Sequence, residues 1–296
     1  MHQPPTSLSD QQILDRVRSE WCPDVTAVRH LAVGFGAWHW RAEVEGTARL
    51  FVTLDPPLWH TAESAEATYA AAAHLARTLD VVHACLPTRA GRLTSRFDQG
   101  WLSCTPWLEG HRPPSVEKEA VEALHRLHAS PPPPGVLTWE PTVAADLVDE
   151  LTAWVAGDGW AGPHGEVARA HVRAGLSGAV ERGLTTYLRL RQGLDHATYV
   201  PTHGEPGAHN QWRTEDGRLL LLDWETLRFA PRERDLLDGY HDRVEHEPDL
   251  LHLFRLEWRL SEVRSYAQWL RGPHEDDSDT RTALDGLRAE LAALTG

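Results

Sequence analysis

Residues Val200–Leu236 read VPTHGEPGAHNQWRTEDGRLLLLDWETLRFAPRERDL, and the rest of the chain is organised around them. Two apolar runs bracket a polar knot of His203, Gly204, Glu205, Pro206 and Asn210. A second carboxylate, Asp223, closes the apolar run Leu219–Leu222. Between Asn210 and Asp223 stands Glu215-Asp216-Gly217, an Asp-Gly turn signal that predicts a tight hairpin. Such a hairpin sets the residues before its first strand beside those after its second. Asn210 and Asp223 then converge, with Glu205 on the loop that enters the first strand. Carboxylate, amide and carboxylate on neighbouring loop ends suit Mg²⁺, which takes oxygen ligands and keeps waters that a phosphate can replace.

The run His203-Gly204-Glu205-Pro206-Gly207-Ala208-His209-Asn210, then Asp223-Trp224-Glu225 and Arg234-Asp235-Leu236, resembles the aminoglycoside phosphotransferase family, small-molecule relatives of the protein kinases. The resemblance implies a bilobal protein kinase-like α+β fold. A small lobe, residues 1–106, would carry an antiparallel sheet plus a helix and bind the nucleotide. A large, mostly helical lobe, residues 107–296, would hold the catalytic and substrate-binding groups. The implied chemistry is ATP- or GTP-dependent, Mg²⁺-assisted phosphorylation of a hydroxyl on a small molecule, with an antibiotic or related natural product as the leading class. Asp223 and Asn210 would hold the metal, Glu205 would orient the acceptor hydroxyl and take its proton, and His203 and Asp235 would brace the loop. The family usually has Asp where this chain has Glu205; Glu keeps the charge and reaches one methylene further. Two other readings stand beside this one. An ordinary turn and a surface carboxylate account for either half of the pattern alone. A metallohydrolase site would use His203, Glu205, His209 and Asp223, although the two histidines lack helical i,i+4 ligand spacing.

Composition sets the outer bounds. At 296 residues the chain is long enough for two lobes, and 41% hydrophobic with 24% charged residues is ordinary for a globular protein. The net charge is −14, and Lys118 is the only lysine. An acidic chain without a basic stripe argues against nucleic acid as the main partner. It suits a cationic substrate, and a solvated acidic surface produces the same balance. Cys22, Cys85 and Cys104 show neither disulfide-framework nor zinc-knuckle spacing. The first ten residues lack a secretory pattern and no apolar run approaches a membrane span, so a cytoplasmic protein is expected.

In chain order, Ser9-Asp10-Gln11-Gln12 predicts a capping box opening a helix to about Glu20. Strand-like runs follow at 25–33, 38–44 and 48–54, then at 81–86, 91–97 and 101–105, six runs from which a five-stranded small-lobe sheet is expected. Gly34, Phe35 and Gly36 form the first turn, which in a kinase-like lobe closes over the nucleotide phosphates. The relatives place a phosphate-holding lysine on the third strand, and here Thr53 occupies that place. Arg41 and His39 on the preceding strand are the nearer substitute cations, Arg49 the farther one. The alternative is a catalytically impaired, kinase-like binding protein. Residues 61–79 predict a helix that offers Glu63 and Glu66. Pro106-Trp107-Leu108-Glu109-Gly110 resembles the family hinge, where backbone groups of Ser103, Thr105 and Trp107 would meet a purine. In the large lobe, helices are expected at 115–129, 140–156, 164–191, 232–241, 249–270 and 280–294. Asp238, His241 and Glu245, with Asp242 and Glu257, put charge where such relatives bind amino groups of a substrate.

Overall fold

Ser9 and Gln12 form the expected reciprocal cap. The Ser9 N–H donates to the Gln12 side chain at 2.9 Å, and the Gln12 N–H donates back to the Ser9 hydroxyl at 3.4 Å. Helix α1 (Asp10–Glu20) follows and buries Ile13, Leu14 and Val17 on one face. The computed structural model describes every residue except 6–7, 57–60, 98–99, 195, 238, 296 and the side chain of His196. It divides into two compact units, one of residues 1–139 with 198–245 and one of 140–197 with 246–296. The architecture is the bilobal α+β one expected, with a sheet-bearing small lobe and a larger, mostly helical one.

In the first unit, β1 (Ala27–Leu31), β2 (Trp38–Val44), β3 (Thr47–Asp55), β4 (Ser95–Phe97) and β5 (Gly100–Pro106) make an antiparallel sheet in the order β1-β2-β3-β5-β4. Strand period 2 decides what each face does. Leu50, Val52 and Leu54 of β3 join Trp40, Leu102 and Cys104 in the core under α1. Phe51, Thr53 and Asp55 therefore lie on the opposite face. Helix α2 (Ala62–Leu75) is closed at its start by Thr61 and Ser64. Its Glu66 accepts from the N–H groups of Leu93 and Thr94 at 2.9 and 3.0 Å and from the Thr94 hydroxyl at 2.7 Å. The segment 81–86 is not a sheet strand. Val82 makes a single bridge to Leu221, and the Leu221 N–H donates to Val81.

After β5 come β6 (Gly110–His111), α3 (Lys118–His128) and the strands that frame the site: β7 (Val200–Thr202), β8 (Gln211–Thr214), β9 (Leu219–Leu221) and β10 (Arg228–Ala230). β7 pairs with β10, while β6, β8 and β9 form a three-stranded sheet. The run expected as a helix at 232–241 gives only a 3-10 turn over Arg232–Asp235, and Gly239 has φ +81°.

The second unit holds α4 (Leu147–Ala156), α5 (Gly165–Gly175), α6 (Glu181–Leu190), α7 (Pro248–Arg271) and α8 (Ser278–Ala293). The helix expected at 164–191 is broken between α5 and α6, where Ser177 and Gly178 leave helical geometry and Gly178 takes φ +143°. Residues 140–146 precede α4, and the Thr142 N–H donates to Glu257 at 2.8 Å. Glu257 is buried and also accepts from Tyr187 at 3.0 Å, so it serves the interior of this unit and is withdrawn from the acids offered for substrate. No helix among the described residues is long and apolar enough to cross a membrane.

Candidate active site

The predicted hairpin forms, with Gly217 at φ +85° in its turn. Gln211 stands opposite Leu221, and the Leu222 N–H donates to the Asn210 carbonyl at 2.8 Å. That register sets Asp223 one residue beyond the partner of Asn210. Asp223 is left-handed, φ 62° and ψ 66°, a conformation Asp tolerates better than most residues and one that turns the chain sharply off β9. Asn210 is buried and its amide donates to the Glu205 carbonyl at 2.9 Å, which leaves its Oδ1 to bind a cation.

Behind these groups the loop is fixed from beneath. Asp235 is fully buried and accepts from the N–H of His203 at 3.0 Å and of Gly204 at 2.5 Å. His128, at the end of α3, meets the same oxygen as the His203 N–H, Oδ2, at 2.9 Å. Burial alone raises the Asp235 carboxyl, but the His128 bond and charge, His203 and the Gly204 N–H outweigh it, so it titrates below the usual range. His203 bridges from its Nε2 to the Leu222 carbonyl at 2.8 Å, and its Nδ1 accepts from the Glu205 N–H at 3.3 Å. This assigns the neutral Nε2–H tautomer, and burial lowers the ring's pKa in agreement. Both nitrogens are committed, which removes His203 from the metallohydrolase set. Gly204 has φ +97°, and a Cβ there would lie 2.3 Å from the Arg234 guanidinium, so the second position of the motif must be glycine. Gln211 donates to the Pro206 carbonyl and to Tyr240, a support for which the sequence carries no motif.

Glu205 is half-buried, and its Oε1 meets His209 Nε2 at 3.0 Å. The extra methylene is thus held by a side chain four residues on, and Oε2 is left for an acceptor. Asp223 is reached by solvent yet surrounded by protein. Burial first, then the charges of Glu225, Glu205 and Asp55, push its carboxyl well above the usual range. Asp55, at the end of β3, is buried and raised in the same way, with the Tyr69 hydroxyl donating to it at 3.0 Å. The place of Asp55 in this acidic neighbourhood was not legible in the sequence, since a lone Asp ending a strand belongs to no motif. Oxygen donors under mutual repulsion fit a hard divalent cation. Among the described residues no three His, Cys, Asp or Glu side chains gather closely enough to hold a metal by themselves. A kinase-type Mg²⁺ site needs fewer, because phosphate and water supply the remaining oxygens.

On the sheet face opposite the core, Thr53 meets His39 Nδ1 at 3.2 Å, and His39 Nε2 lies under Gly34, 3.0 Å from where a Cβ would stand. Burial, then the chain's amino terminus, His30 and Arg112, lower His39 to about 3, so the pair is neutral where relatives carry a lysine. Gly34 and Gly36 take φ +73° and +94°, and Phe35 is exposed between them. Arg41 is ion-paired with Glu43 at 3.1 Å and lies 5.3 Å over the Trp107 ring. The Trp107 backbone N–H is given to the Arg49 carbonyl at 2.9 Å and its indole N–H to Glu109 at 2.8 Å, so Trp107 keeps its ring face and its carbonyl for a base. Thr105 pairs with Phe51 across the strands, and buried Ser103 pairs with Thr53. His241 is half-buried with Asp242 at 3.6 Å, and Glu245 is exposed. Asp238 lies outside the described residues.

Residues 28–273 match the sequence profile of a family described as the phosphotransferase enzyme family. Protein StrN of Streptomyces griseus is 28% identical over 245 residues, 73% of either chain. Among solved structures, spectinomycin phosphotransferase, APH(9)-Ia, in complex with ADP and spectinomycin, superposes with a TM-score of 0.73 at 14% identity, covering 99% of this chain and 98% of that one. The microcompartment-associated aminopropanol kinase superposes at 0.61 with 15% identity, covering 96% of each.

Proposed function

The chain belongs to the phosphotransferase enzyme family, and from that premise we propose that it phosphorylates a hydroxyl of an amine-bearing small molecule, an antibiotic or related natural product. It is a nucleoside triphosphate- and Mg²⁺-dependent phosphotransferase with an alcohol acceptor. The observation that carries the site assignment is the hairpin register that pairs Leu222 with Asn210 and so sets Asp223 beside it. The amine is supported by the net charge of −14 and by the aminopropanol kinase among the similar structures.

In this reading Glu205 accepts the acceptor's hydroxyl proton at Oε2 while His209 holds Oε1. The freed oxygen attacks the terminal phosphorus, the bond from that phosphorus to the bridging oxygen breaks, and the nucleoside diphosphate leaves. Asp223 and Asn210 Oδ1 would hold Mg²⁺, which neutralises the phosphate charge when bound. His203 and Asp235 keep the loop's N–H groups committed, so Glu205 is presented in one place and positioning supplies most of the rate. Residues 1–106 serve as the nucleotide lobe and 107–296 as the acceptor lobe, with Gly34, Phe35, Gly36, Thr53, Ser103, Thr105 and Trp107 around the nucleotide, Arg41 against Trp107, and His241 and Glu245 toward the acceptor. The reaction belongs in the cytoplasm, where its donors are made.

The test is mass spectrometry of a panel of hydroxylated antibiotics and amino alcohols incubated with Mg²⁺ and either ATP or GTP. Gain of one phosphoryl group on a panel member supports the assignment; acceptors phosphorylated only when they lack an amine would overturn the substrate class. Glu205→Gln is expected to lower kcat about a hundredfold with little change in the nucleotide KM, as loss of a general base should. Steady-state kinetics on the first acceptor found would check it.

A further inference from the structure

A triphosphate brings several negative charges to a site that already holds Asp55, Glu205, Asp223 and Glu225, and the one basic residue of β3, Arg49, stands four residues before Thr53, roughly 13 Å away along the strand. Most of the nearby basic side chains are engaged elsewhere. Arg41 is paired with Glu43 and stacked on Trp107. Arg228 is partly desolvated and donates to Thr68 and to the carbonyls of Glu225 and Leu227. Arg234 packs on Gly204 and donates to Thr202 at 3.1 Å. The one lysine, Lys118, pairs with Glu122 on α3. His39 is held neutral by its surroundings.

Arg112 differs from all of these. It follows β6 directly, and β6 runs antiparallel to β8 with Gly110 opposite Thr214 and His111 opposite Arg213. Extending that register one step past the end of β6 would set Arg112 alongside Trp212, two residues from Asn210. Its side chain is exposed and makes no hydrogen bond or ion pair among the described residues. Its charge bears on both His39, beneath the glycine turn, and Asp223 at the end of the hairpin. In the functional reading above, those two residues lie on either side of a bound nucleotide's phosphates.

We propose that Arg112 is the phosphate-binding cation of this chain, supplied from the segment after β6 in place of a lysine on β3; this rests on the phosphotransferase reading above. A guanidinium suits the task because it stays charged and can meet two phosphate oxygens at once. Such a contact is made only with the phosphates, so a nucleoside should not feel its loss.

Isothermal titration of the full chain with Mg·ATP, Mg·GTP, adenosine and guanosine tests this. For whichever triphosphate the wild type binds, Arg112→Ala should weaken binding about tenfold to a hundredfold and leave the matching nucleoside unchanged. The triphosphate affinity of the variant should also fall less steeply with salt. Because Arg112 is exposed, the variant should keep the wild-type melting temperature. Unchanged triphosphate affinity, or equal weakening for nucleoside and triphosphate, overturns the assignment of Arg112 alone. A wild type that binds neither triphosphate overturns the functional reading beneath it.

Discussion

Asp223→Asn is expected to lower phosphoryl transfer about a thousandfold or more while the protein stays folded. Asn keeps the shape of the side chain and removes the charge that a divalent cation needs. The same change relieves repulsion from Glu225, Glu205 and Asp55. The sign of the stability effect follows from linkage. The folded-state carboxyl titrates above its unfolded value, so the folded protein holds the extra proton, and that contribution is lost as pH rises through the folded value. At neutral pH an ionised Asp223 therefore costs stability in the metal-free protein. The variant should melt at the wild-type temperature or above it without ligand, and should lose the rise in melting temperature that Mg·ATP or Mg·GTP gives the wild type. Steady-state turnover and a thermal-shift titration check the two halves, and equal turnover in both proteins would remove the metal assignment.

Asp235→Ala acts through the fold. It strips a buried acceptor from the N–H groups of His203 and Gly204 and from His128, leaving three donors with no replacement. Breaking a buried charged cluster of this kind costs about 3–5 kcal/mol. Urea denaturation should show that loss as a lower midpoint with an unchanged slope. The pH dependence runs opposite to that of Asp223. Asp235 titrates below its unfolded value, so its contribution is fully present above the unfolded value and is lost as pH falls through the folded one. The Ala variant should therefore show a flatter stability curve across that acidic window. A variant as stable as the wild type at neutral pH would deny Asp235 its bracing role.

The two effects separate what the sequence makes readable from what it hides. The loop 203–210, the hairpin and the Asp that ends it are local: the turn residues and the strand pattern between Asn210 and Asp223 fix their own register. The brace for that loop was legible only in part. Asp235 follows Arg234 in a short motif, whereas its partner His128 comes from 107 residues away and no pattern joins them. Asp55 and Tyr69 escaped for a related reason, since their meeting depends on how α2 packs on β3. Helical periodicity misled where backbone groups found other partners. Thr142 gives its N–H to Glu257 and stays out of α4, and Gly178 allows a break that the apolar spacing of 164–191 does not signal. The segment 81–86 has the composition of a strand, yet its backbone bonding is split between a bridge to the hairpin residue Leu221, Leu79 just before it, and Cys104 of β5.

Glu66 clasps the backbone of residues 93–94, and Tyr69 grips Asp55. Helix α2 is therefore seated by side chains of its own, Glu66 on the segment before β4 and Tyr69 on the end of β3.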